Sequence, residues 1–587
     1  MVHLSENSSA LTVTRHIVES LEHILKLTRE FTDVAVFVLP DRSRLSPDLL
    51  PVLREAARWM GSNATLVVLG DPVDLAAAHI TLREHARYQT WIAVKRATIL
   101  STPDSTRLPM HHWGMLIHTR YVESLRHTKT RIQYTYCPAC GKTTKDYGGK
   151  KHTYHHLGTL MSDVWRDVAV DLQGDIASIM TRLADFFGLP GYSELRVLDC
   201  RNLPVVETIK PKPTPYQSEM GNVGSDDKGF KTNCLINGDC LHELAHLPDD
   251  VADFVFVDPP YNLGKTYSGY TDDLEIKQYF EWCDTWLTEL ARILKPGRTL
   301  CVLNIPLWAI RHFLHLDIIL SFQNWIAWDA LSYPVRQLMP AHYAILCFSN
   351  GPSRPLPGLL ARGDVNPGMV IDSSPAYFES LSPLAENFCL RSSCVRKRRV
   401  AQVDDRGPLT DLWWDIHRLK HNSRRVDHPT QLPPQLLYRL ISLFTAPGEV
   451  VLDCFNGSGT TTLAAHQLDR RYIGIELEQR YHAIAQRRHD DIVAGLDPFR
   501  KNDDVPKAKN SPIRRMKKQS YAVSKKTLQL EVKRVAEQIG RLPTRDDMIA
   551  HGRYPIQYYD DYFVSWGEVC AAARTTGMTE LPPDRND

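Results

Sequence analysis

Four consecutive residues, Asp258-Pro259-Pro260-Tyr261, follow a run of apolar residues that is typical of a buried strand. In open parallel sheets, ligands bind beyond the carboxyl ends of such strands. The Asp258 carboxylate, assisted by the Pro259 carbonyl, could accept hydrogen bonds from the protons of an exocyclic base amine, which is otherwise a poor nucleophile. The two prolines restrict the backbone and hold these acceptors in place. The Tyr261 ring offers a face on which a base could stack.

A second motif, VVLDCFNGSGTTTLAA, begins at Val450 and predicts a strand, a glycine-rich turn and a helix. Glycines let the backbone approach a ligand closely at such a turn. Glu476 stands near the end of the following strand, where an acid can bind ribose hydroxyls. The pattern therefore predicts a pocket for a nucleoside cofactor. The residues assigned to it are Asp453, Phe455, Asn456, Gly457, Ser458, Gly459, Thr460 and Glu476.

The order of the two motifs resembles that of the β class of DNA amino-methyltransferases, in which the catalytic motif precedes the cofactor motif. The resemblance covers about residues 230–495. It implies S-adenosylmethionine as the cofactor, duplex DNA as the substrate, and direct transfer of a methyl group to a flipped base amine, adenine N6 before cytosine N4. The cofactor contacts that it adds are Asp239, Asp258, Pro429, Thr430 and Gln431.

The residue types exclude one competing activity and leave others open. Cytosine C5 methylation needs a cysteine nucleophile, normally after a proline, and no cysteine here follows a proline. Cytosine N4 stays an alternative because the same geometry serves both amines, although aspartate at the first motif position is commoner in the family's adenine enzymes. An RNA or protein amine methyltransferase, and a non-catalytic DNA-binding regulator on a methyltransferase fold, are further alternatives.

Between the two motifs, residues 351–425 form the expected target-recognition region and are rich in arginine and lysine. Clustered basic side chains can neutralise the phosphates of a duplex, although solvated surfaces carry the same pattern. A cognate restriction endonuclease or defence system would be a further partner of such an enzyme. The residues predicted to contact DNA are Arg396, Lys397, Arg398, Arg399, Arg424 and Arg425.

An internal repeat organises the elements that must position these motifs. Residues 53–72 parallel residues 287–306, and residues 91–95 parallel residues 325–329, both at an offset of 234. Strand-like and helix-like segments alternate in each copy, which predicts a parallel sheet covered by helices. In the first copy Leu39 stands in place of Asp258 and no glycine pair follows the first strand-end aspartate. We therefore expect a degenerate copy that forms an internal pseudo-dimer with an active one.

Cys137 and Cys140 have the CxxC spacing of structural zinc knuckles. A structural Zn²⁺ needs a second ligand pair, for which there are two sources. Nearby histidines are one source, and a cysteine pair at a comparable place in the second copy is the other. The second source would create one Cys₄ site that joins the copies. The candidate ligands are His152, His155 and His156, or Cys389 and Cys394.

Composition is that of an ordinary folded protein, with 587 residues, 43% hydrophobic and 24% charged, and a net charge of +2. No apolar run is long enough for a membrane span and the N-terminus lacks a signal-peptide layout, so we expect a cytoplasmic protein. The fold class predicted is α/β, with two tandem Rossmann-like methyltransferase domains and a small helical domain. The predicted bounds are 1–205 for the degenerate copy, 206–229 for a linker, 230–496 for the catalytic copy, 497–526 for a basic linker and 527–587 for the helical domain.

The C-terminal segment resembles the small helical repeats that accompany homing endonucleases. The resemblance is carried by Gly540-Arg541-Leu542-Pro543-Thr544, Gly552, Tyr558, Phe563 and Trp566. It implies DNA binding by this segment. No HNH-type nuclease motif stands beside it, so we expect no DNA cleavage.

Overall fold

A computed structural model describes residues 12–40, 49–144, 157–203, 231–360, 381–419, 431–499 and 523–570, with short gaps inside these ranges. The chain divides into two compact units. The first holds residues 1–420 and 424–501, and the second holds residues 421–423 and 502–587. Among the described residues, no helix combines the length and the apolar character that crossing a membrane requires.

A seven-stranded sheet occupies the N-terminal part of the first unit, with the strand order β1-β9-β2-β3-β5-β4-β8. Its strands are β1 (Thr12–Ile17), β2 (Val34–Val38), β3 (Thr65–Gly70), β4 (Arg87–Leu100), β5 (Met110–Thr119), β8 (Val164–Val170) and β9 (Glu194–Asp199). A separate two-stranded sheet is formed by β6 (Arg131–Ile132) and β7 (Thr159–Leu160). The helices of this part are α1 (Leu49–Trp59), α2 (Pro72–Leu82) and α3 (Ala177–Phe187).

An eight-stranded sheet follows in the same unit, with the order β10-β19-β18-β11-β14-β16-β15-β17. Its strands are β10 (Cys234–Asn237), β11 (Ala252–Val257), β14 (Leu294–Asn304), β15 (Ser321–Asp329), β16 (His342–Ser349), β17 (Leu412–Trp413), β18 (Val450–Asp453) and β19 (Arg471–Glu476). A separate two-stranded sheet is formed by β12 (Thr266–Tyr267) and β13 (Tyr270–Thr271). The helices are α4 (Cys240–Ala245), α5 (Ile276–Ile293), α6 (Pro306–Ile319), α7 (Pro357–Leu360), α8 (Ser392–Val400), α9 (Pro434–Phe444), α10 (Thr460–Gln467) and α11 (Gln479–Val493).

Both sheets are buried on two faces, which explains their nearly continuous apolar strands. Phe37 of β2 enters one core, whereas its neighbour Val36 enters another. Val255 and Phe256 of β11 likewise enter different cores. The prediction of an α/β chain with parallel-rich sheets is confirmed.

The two sheets repeat one strand order. The series β9-β2-β3-β5-β4-β8 corresponds to β18-β11-β14-β16-β15-β17, with the same parallel and antiparallel neighbours at each step. Even the irregularities correspond, because the register shifts between Tyr88 and Thr90 in β4 and between Phe322 and Asn324 in β15. These positions share the offset of 234 that relates the sequences. The sheets differ beyond β18, where the second has β19 and then β10, while the first has only β1 beyond β9.

The two sheets contact each other through corresponding residues. Trp91 of β4 stacks on Trp325 of β15, with ring centroids 4.6 Å apart and an interplanar angle of 8°. Asp163 accepts hydrogen bonds from the backbone N–H groups of Ala341 and His342 at 2.7 and 2.9 Å. The equivalent contact in the other direction is made by Asp411, which accepts from the backbone N–H of His111 at 2.7 Å. Contacts that are returned in this way are the mark of a two-fold, isologous interface.

The second unit is a small helical domain with its own core. Leu528, Val532 and Phe563 are among its buried residues, and the Trp566 indole donates to the carbonyl of Pro543 at 2.9 Å. A capping box between Thr544 and Asp547 starts its second helix. The helices are α12 (Lys525–Ile539), α13 (Arg545–His551), α14 (Ile556–Tyr562) and α15 (Trp566–Val569).

Candidate active site

The strands that carry the two motifs are direct neighbours. β11 pairs with β18 in parallel, with Phe254 opposite Val451 and Val255 opposite Leu452. Because both strands run the same way, Asp258 and Asp453 emerge at the same edge of the sheet. This strand pairing brings the two motifs into one site.

The Asp258 motif is held by hydrogen bonds from three aromatic side chains. The Tyr261 hydroxyl donates to Asp258 Oδ1 at 2.7 Å, the Tyr279 hydroxyl donates to the Pro260 carbonyl at 2.7 Å, and the Trp308 indole donates to the Tyr261 carbonyl at 2.8 Å. Burial and the neighbouring Asp258 carboxylate raise the pKa of Tyr261, so the phenol stays protonated and keeps donating. Only 8% of Tyr261 is exposed. The hydrogen bond from Tyr261 fixes the orientation of the Asp258 carboxylate.

The glycine-rich turn is stabilised by two carboxylates. Asp453 accepts from the backbone N–H of Phe455 at 2.9 Å, and Glu476 accepts from that of Gly457 at 2.7 Å. Gly459 caps the N-terminus of α10 with φ of +88°, a conformation that favours glycine. The bond from Gly457 to Glu476 links the turn after β18 to the end of β19.

One pocket lies between the two motifs. It opens to solvent and is lined by residues of both motifs. Of the predicted site residues, Pro259, Tyr261 and Gly459 adjoin it without lining it, and Pro429 and Thr430 lie outside the described residues. The predicted residues that line it are Asp239, Asp258, Pro260, Gln431, Asp453, Phe455, Asn456, Gly457, Ser458, Thr460 and Glu476.

Sequence reasoning missed several residues of the pocket wall. Trp282 of α5 lines the pocket and packs on the Phe455 ring, with centroids 5.6 Å apart in an edge-on arrangement. Tyr481 of α11 lines it as well. Leu477 and Glu478 also line the pocket, and their position directly after the predicted Glu476 could have identified them from the sequence.

The pocket is acidic. Asp239, Asp258, Asp453 and Glu476 all line it. Asp239 also caps α4, since its Oδ1 accepts from two backbone N–H groups of that helix at 3.0 and 3.1 Å. Burial raises the pKa of Asp453 to about 7 and raises the pKa of Glu476. Such a wall favours a ligand with a positive charge.

The basic residues predicted to contact DNA divide into three groups. Arg396, Lys397 and Arg399 are exposed on α8. Arg398 does not fit the prediction, because it is only 1% exposed and its Nε donates to Asp405 at 2.6 Å. Its guanidinium faces the interior and is therefore removed from the predicted DNA surface. The other two, Arg424 and Arg425, lie outside the described residues.

The four candidate cysteines meet in one place. All four Sγ atoms lie within 4.8 Å of one another, although Cys137 and Cys140 belong to the first part of the chain and Cys389 and Cys394 to the second. The alternative ligands His152, His155 and His156 lie outside the described residues.

The corresponding place in the first sheet has a different chemistry. By the pairing of β2 with β3, Val38 lies opposite Leu69 and takes the place of Asp258, which follows the Val257 that is paired with Val302 of β14. Val38 and the next residue, Leu39, are both fully buried, so the match of Leu39 to Asp258 expected from the sequence is shifted by one residue. The aspartate that ends β9, Asp199, is bound by the guanidinium groups of Arg15 and Arg201 at 2.6 and 2.7 Å. The first sheet therefore has an apolar side chain where the acceptor stood and an ion-pair cluster at the end of the cofactor strand.

Comparison with known proteins identifies two segments. Residues 252–487 match the DNA methylase family of the N6/N4 type, and residues 523–573 match the homing endonuclease associated repeat. The chain is 34% identical to the type II methyltransferase M.BamHI of Bacillus amyloliquefaciens over 282 residues, which are 46% of this chain and 62% of that protein.

Two further relatives match over the same share of this chain. The type II methyltransferase M.HpaI of Haemophilus parainfluenzae is 29% identical over 45% of this chain and 76% of its own length. The DNA adenine methyltransferase YhdJ of Escherichia coli K12 is 28% identical over 45% of this chain and 84% of its own length. The chain thus covers less than two thirds of M.BamHI and most of the other two. By these comparisons, residues 252–487 are similar to DNA methylases of the N6/N4 type, and residues 523–573 are similar to the homing endonuclease associated repeat.

Proposed function

We propose that the protein is a site-specific DNA methyltransferase that transfers a methyl group from S-adenosylmethionine to adenine N6 in duplex DNA. The observation that carries this proposal is the single pocket that joins the acceptor Asp258 to the glycine-rich turn after β18. A nucleoside site beside a fixed acceptor for an amine is what such a transfer requires.

The chemistry of the pocket fits this cofactor. Bound S-adenosylmethionine would supply an electrophilic methyl group on a positively charged sulfonium. The carboxylates of Asp239, Asp453 and Glu476 suit a cationic ligand with ribose hydroxyls, and the ring of Phe455 offers an apolar surface for an adenine. By family resemblance, Pro429, Thr430 and Gln431 contribute to the same site, and Gln431 lines the pocket.

The catalytic group is the Asp258 carboxylate, with the Pro259 carbonyl beside it. In the reaction that we propose, both accept hydrogen bonds from the target amine and so favour a geometry in which the nitrogen lone pair can attack. Tyr261 acts on Asp258 as a positioning residue through the 2.7 Å hydrogen bond. The target base has to leave the duplex to reach this depth.

The first sheet is proposed to be a catalytically inactive copy. The shared strand order and the reciprocal contacts of Asp163 and Asp411 support an internal pseudo-dimer with one active half. The substitutions at Val38 and around Asp199 support the loss of both binding and catalysis in that half. Duplex DNA, and a cognate restriction endonuclease or defence system, are the partners that this function implies.

Cofactor binding should depend on pH through Asp453. Because burial raises the pKa of Asp453 to about 7, the carboxyl is mostly neutral at about pH 6 and mostly ionised at about pH 7.5. A cationic ligand prefers the ionised form, so we expect affinity for S-adenosylmethionine to rise by up to roughly eightfold over this interval. Calorimetric titration measures it. Asp453→Asn, which cannot ionise, should lose the dependence, and an equally steep profile in that variant would assign the effect to another group.

The proposal is tested by methyl transfer from labelled S-adenosylmethionine to duplex DNA, followed by mass spectrometry of the digested nucleosides. N6-methyladenine is the expected product. N4-methylcytosine would replace adenine by cytosine as the target, and transfer to RNA or protein alone would overturn the DNA assignment. A non-catalytic regulator would give no product with any of these substrates. Calorimetry then shows whether the protein binds S-adenosylmethionine at all.

A further inference from the structure

We propose that Cys137, Cys140, Cys389 and Cys394 bind one Zn²⁺ ion, and that this ion holds the basic helix α8 in the orientation needed for DNA binding. The site joins the two halves of the first unit. The part of the inference that concerns DNA rests on the proposed function, whereas the metal site does not. The ligand class is a soft divalent cation, for which four thiolates in a closed shell are a structural zinc site.

The distances between the sulfur atoms fit a tetrahedral metal site. Sγ of Cys137 lies 3.9 Å from that of Cys394, and Sγ of Cys140 lies 3.7 Å from that of Cys389. Four sulfurs at about 2.3 Å from a central zinc are about 3.8 Å apart. A disulfide would need about 2.05 Å. The four thiols therefore surround a space of the size of an ion and are not arranged as two bridges.

The first ligand pair is presented by a tight turn. The backbone N–H of Gly141 donates to the carbonyl of Cys137 at 2.8 Å, and the N–H of Cys137 donates to the carbonyl of Lys142 at 2.7 Å. Gly141 has φ of +63°, and no atom lies within 4 Å of the place that a Cβ would take. Glycine is thus favoured here for its backbone conformation and not for lack of space. The turn directs both thiols to one side.

The second pair is supported by Arg398. Its Nη1 lies 3.1 Å from Sγ of Cys394, its Nη2 donates to the carbonyl of Cys389 at 3.1 Å, and its Nε donates to Asp405. Four thiolates around a divalent ion carry a net charge of about −2. A buried guanidinium that donates to one sulfur offsets part of this charge and fixes the ligand loop. The burial of Arg398, which was unexpected for a DNA-contacting residue, is explained by this role.

The metal would fix a short helix. α8 spans nine residues, too few for a stable isolated helix, and Cys394 lies in its first turn. Arg396, Lys397 and Arg399 are exposed on it. Arg391, just before the helix, donates to the carbonyl of Thr143 in the first half. A zinc ion held from both halves would therefore set the direction in which these positive charges face the solvent.

The test begins with metal analysis of the full-length protein purified under reducing conditions. We expect one zinc per chain in the wild type and none in Cys389→Ser, while the control Cys234→Ser, a half-buried cysteine of β10, keeps its zinc. Native mass spectrometry of the wild type before and after chelation gives the same count without a substitution. A wild type without zinc, or Cys389→Ser with zinc, would overturn the site.

Binding assays then test the role in orientation. In Cys389→Ser we expect affinity for a duplex to fall by about tenfold or more, since several phosphate contacts act together. Affinity for S-adenosylmethionine should stay within about twofold, which also shows that the fold is intact. Unchanged DNA affinity in the zinc-free protein would overturn the orienting role. Failure of the proposed function can be told apart from failure of the zinc site, because a protein without methyl transfer activity could still bind zinc.

Discussion

Replacing Asp258 by alanine should lower methyl transfer to DNA by about 10³-fold or more while leaving S-adenosylmethionine bound. Removing the carboxylate removes the acceptor that faces the target amine, and it also leaves the Tyr261 hydroxyl without its 2.7 Å partner. Asp258 lines the cofactor pocket together with Phe455 and Glu476, and these two residues stay in place to hold the ligand when Asp258 is replaced. The measurement is single-turnover methyl transfer together with calorimetry of the cofactor.

The matched control is Leu39, the buried residue directly after the corresponding strand of the first sheet. Leu39→Met conserves the volume of a fully buried side chain and should cost less than about 1.5 kcal/mol of stability. Turnover should be unchanged, because no acceptor stands at this place. Turnover of Asp258→Asn should lie between those of the wild type and Asp258→Ala, because an amide keeps one acceptor oxygen but loses the charge. If Leu39→Met reduced turnover as strongly as Asp258→Ala, the assignment of one active and one inactive half would be wrong.

The sequence was sufficient to locate the motifs because each follows a strand, and strand ends can be recognised from apolar runs. It could not show that β11 and β18 are neighbours, since this depends on the strand order. Trp282 was missed for the same reason, because its partner Phe455 is distant in the chain. The prediction that Arg398 contacts DNA failed for a local reason. It stands four residues after Cys394 and thus on the same face of α8, a spacing that argued for a shared interior.

A duplicated chain can keep an inactive half when the contacts between the halves are needed. Asp163 and Asp411 each satisfy backbone N–H groups of the other half, and Trp91 and Trp325 bury each other's faces. Removing the first half would expose these groups to water or leave them unpaired in an interior, which is costly. Leu39 and the residues after Asp199 make none of these contacts between the halves and were free to differ from the second half. If the first half is inactive, as we propose, this accounts for a half that lacks the acceptor but keeps the contacts with the other half.

Gly459→Ala should weaken S-adenosylmethionine binding by at least about 30-fold, equivalent to about 2 kcal/mol. Gly459 has φ of +88°, and an added Cβ would lie 2.8 Å from the Cβ of Ala485 in α11. Relief of that clash requires the turn to move away from the helix, and the turn carries Gly457 and Ser458 into the pocket. Calorimetry of cofactor binding measures the effect, and methyl transfer at saturating cofactor shows how much of it is binding alone.

Gly448→Ala separates the clash from backbone strain. Gly448 has φ of +81°, so an alanine there has the same left-handed conformation, at a cost of about 1–2 kcal/mol in stability. No atom lies within 4 Å of its added Cβ, and it precedes β18, at the opposite end of that strand from the pocket. Thermal unfolding should therefore shift in both variants, but cofactor affinity only in Gly459→Ala. If the turn after β18 binds the cofactor, its displacement in Gly459→Ala must weaken binding. Equal affinities in the two variants would therefore mean that the turn does not bind the cofactor.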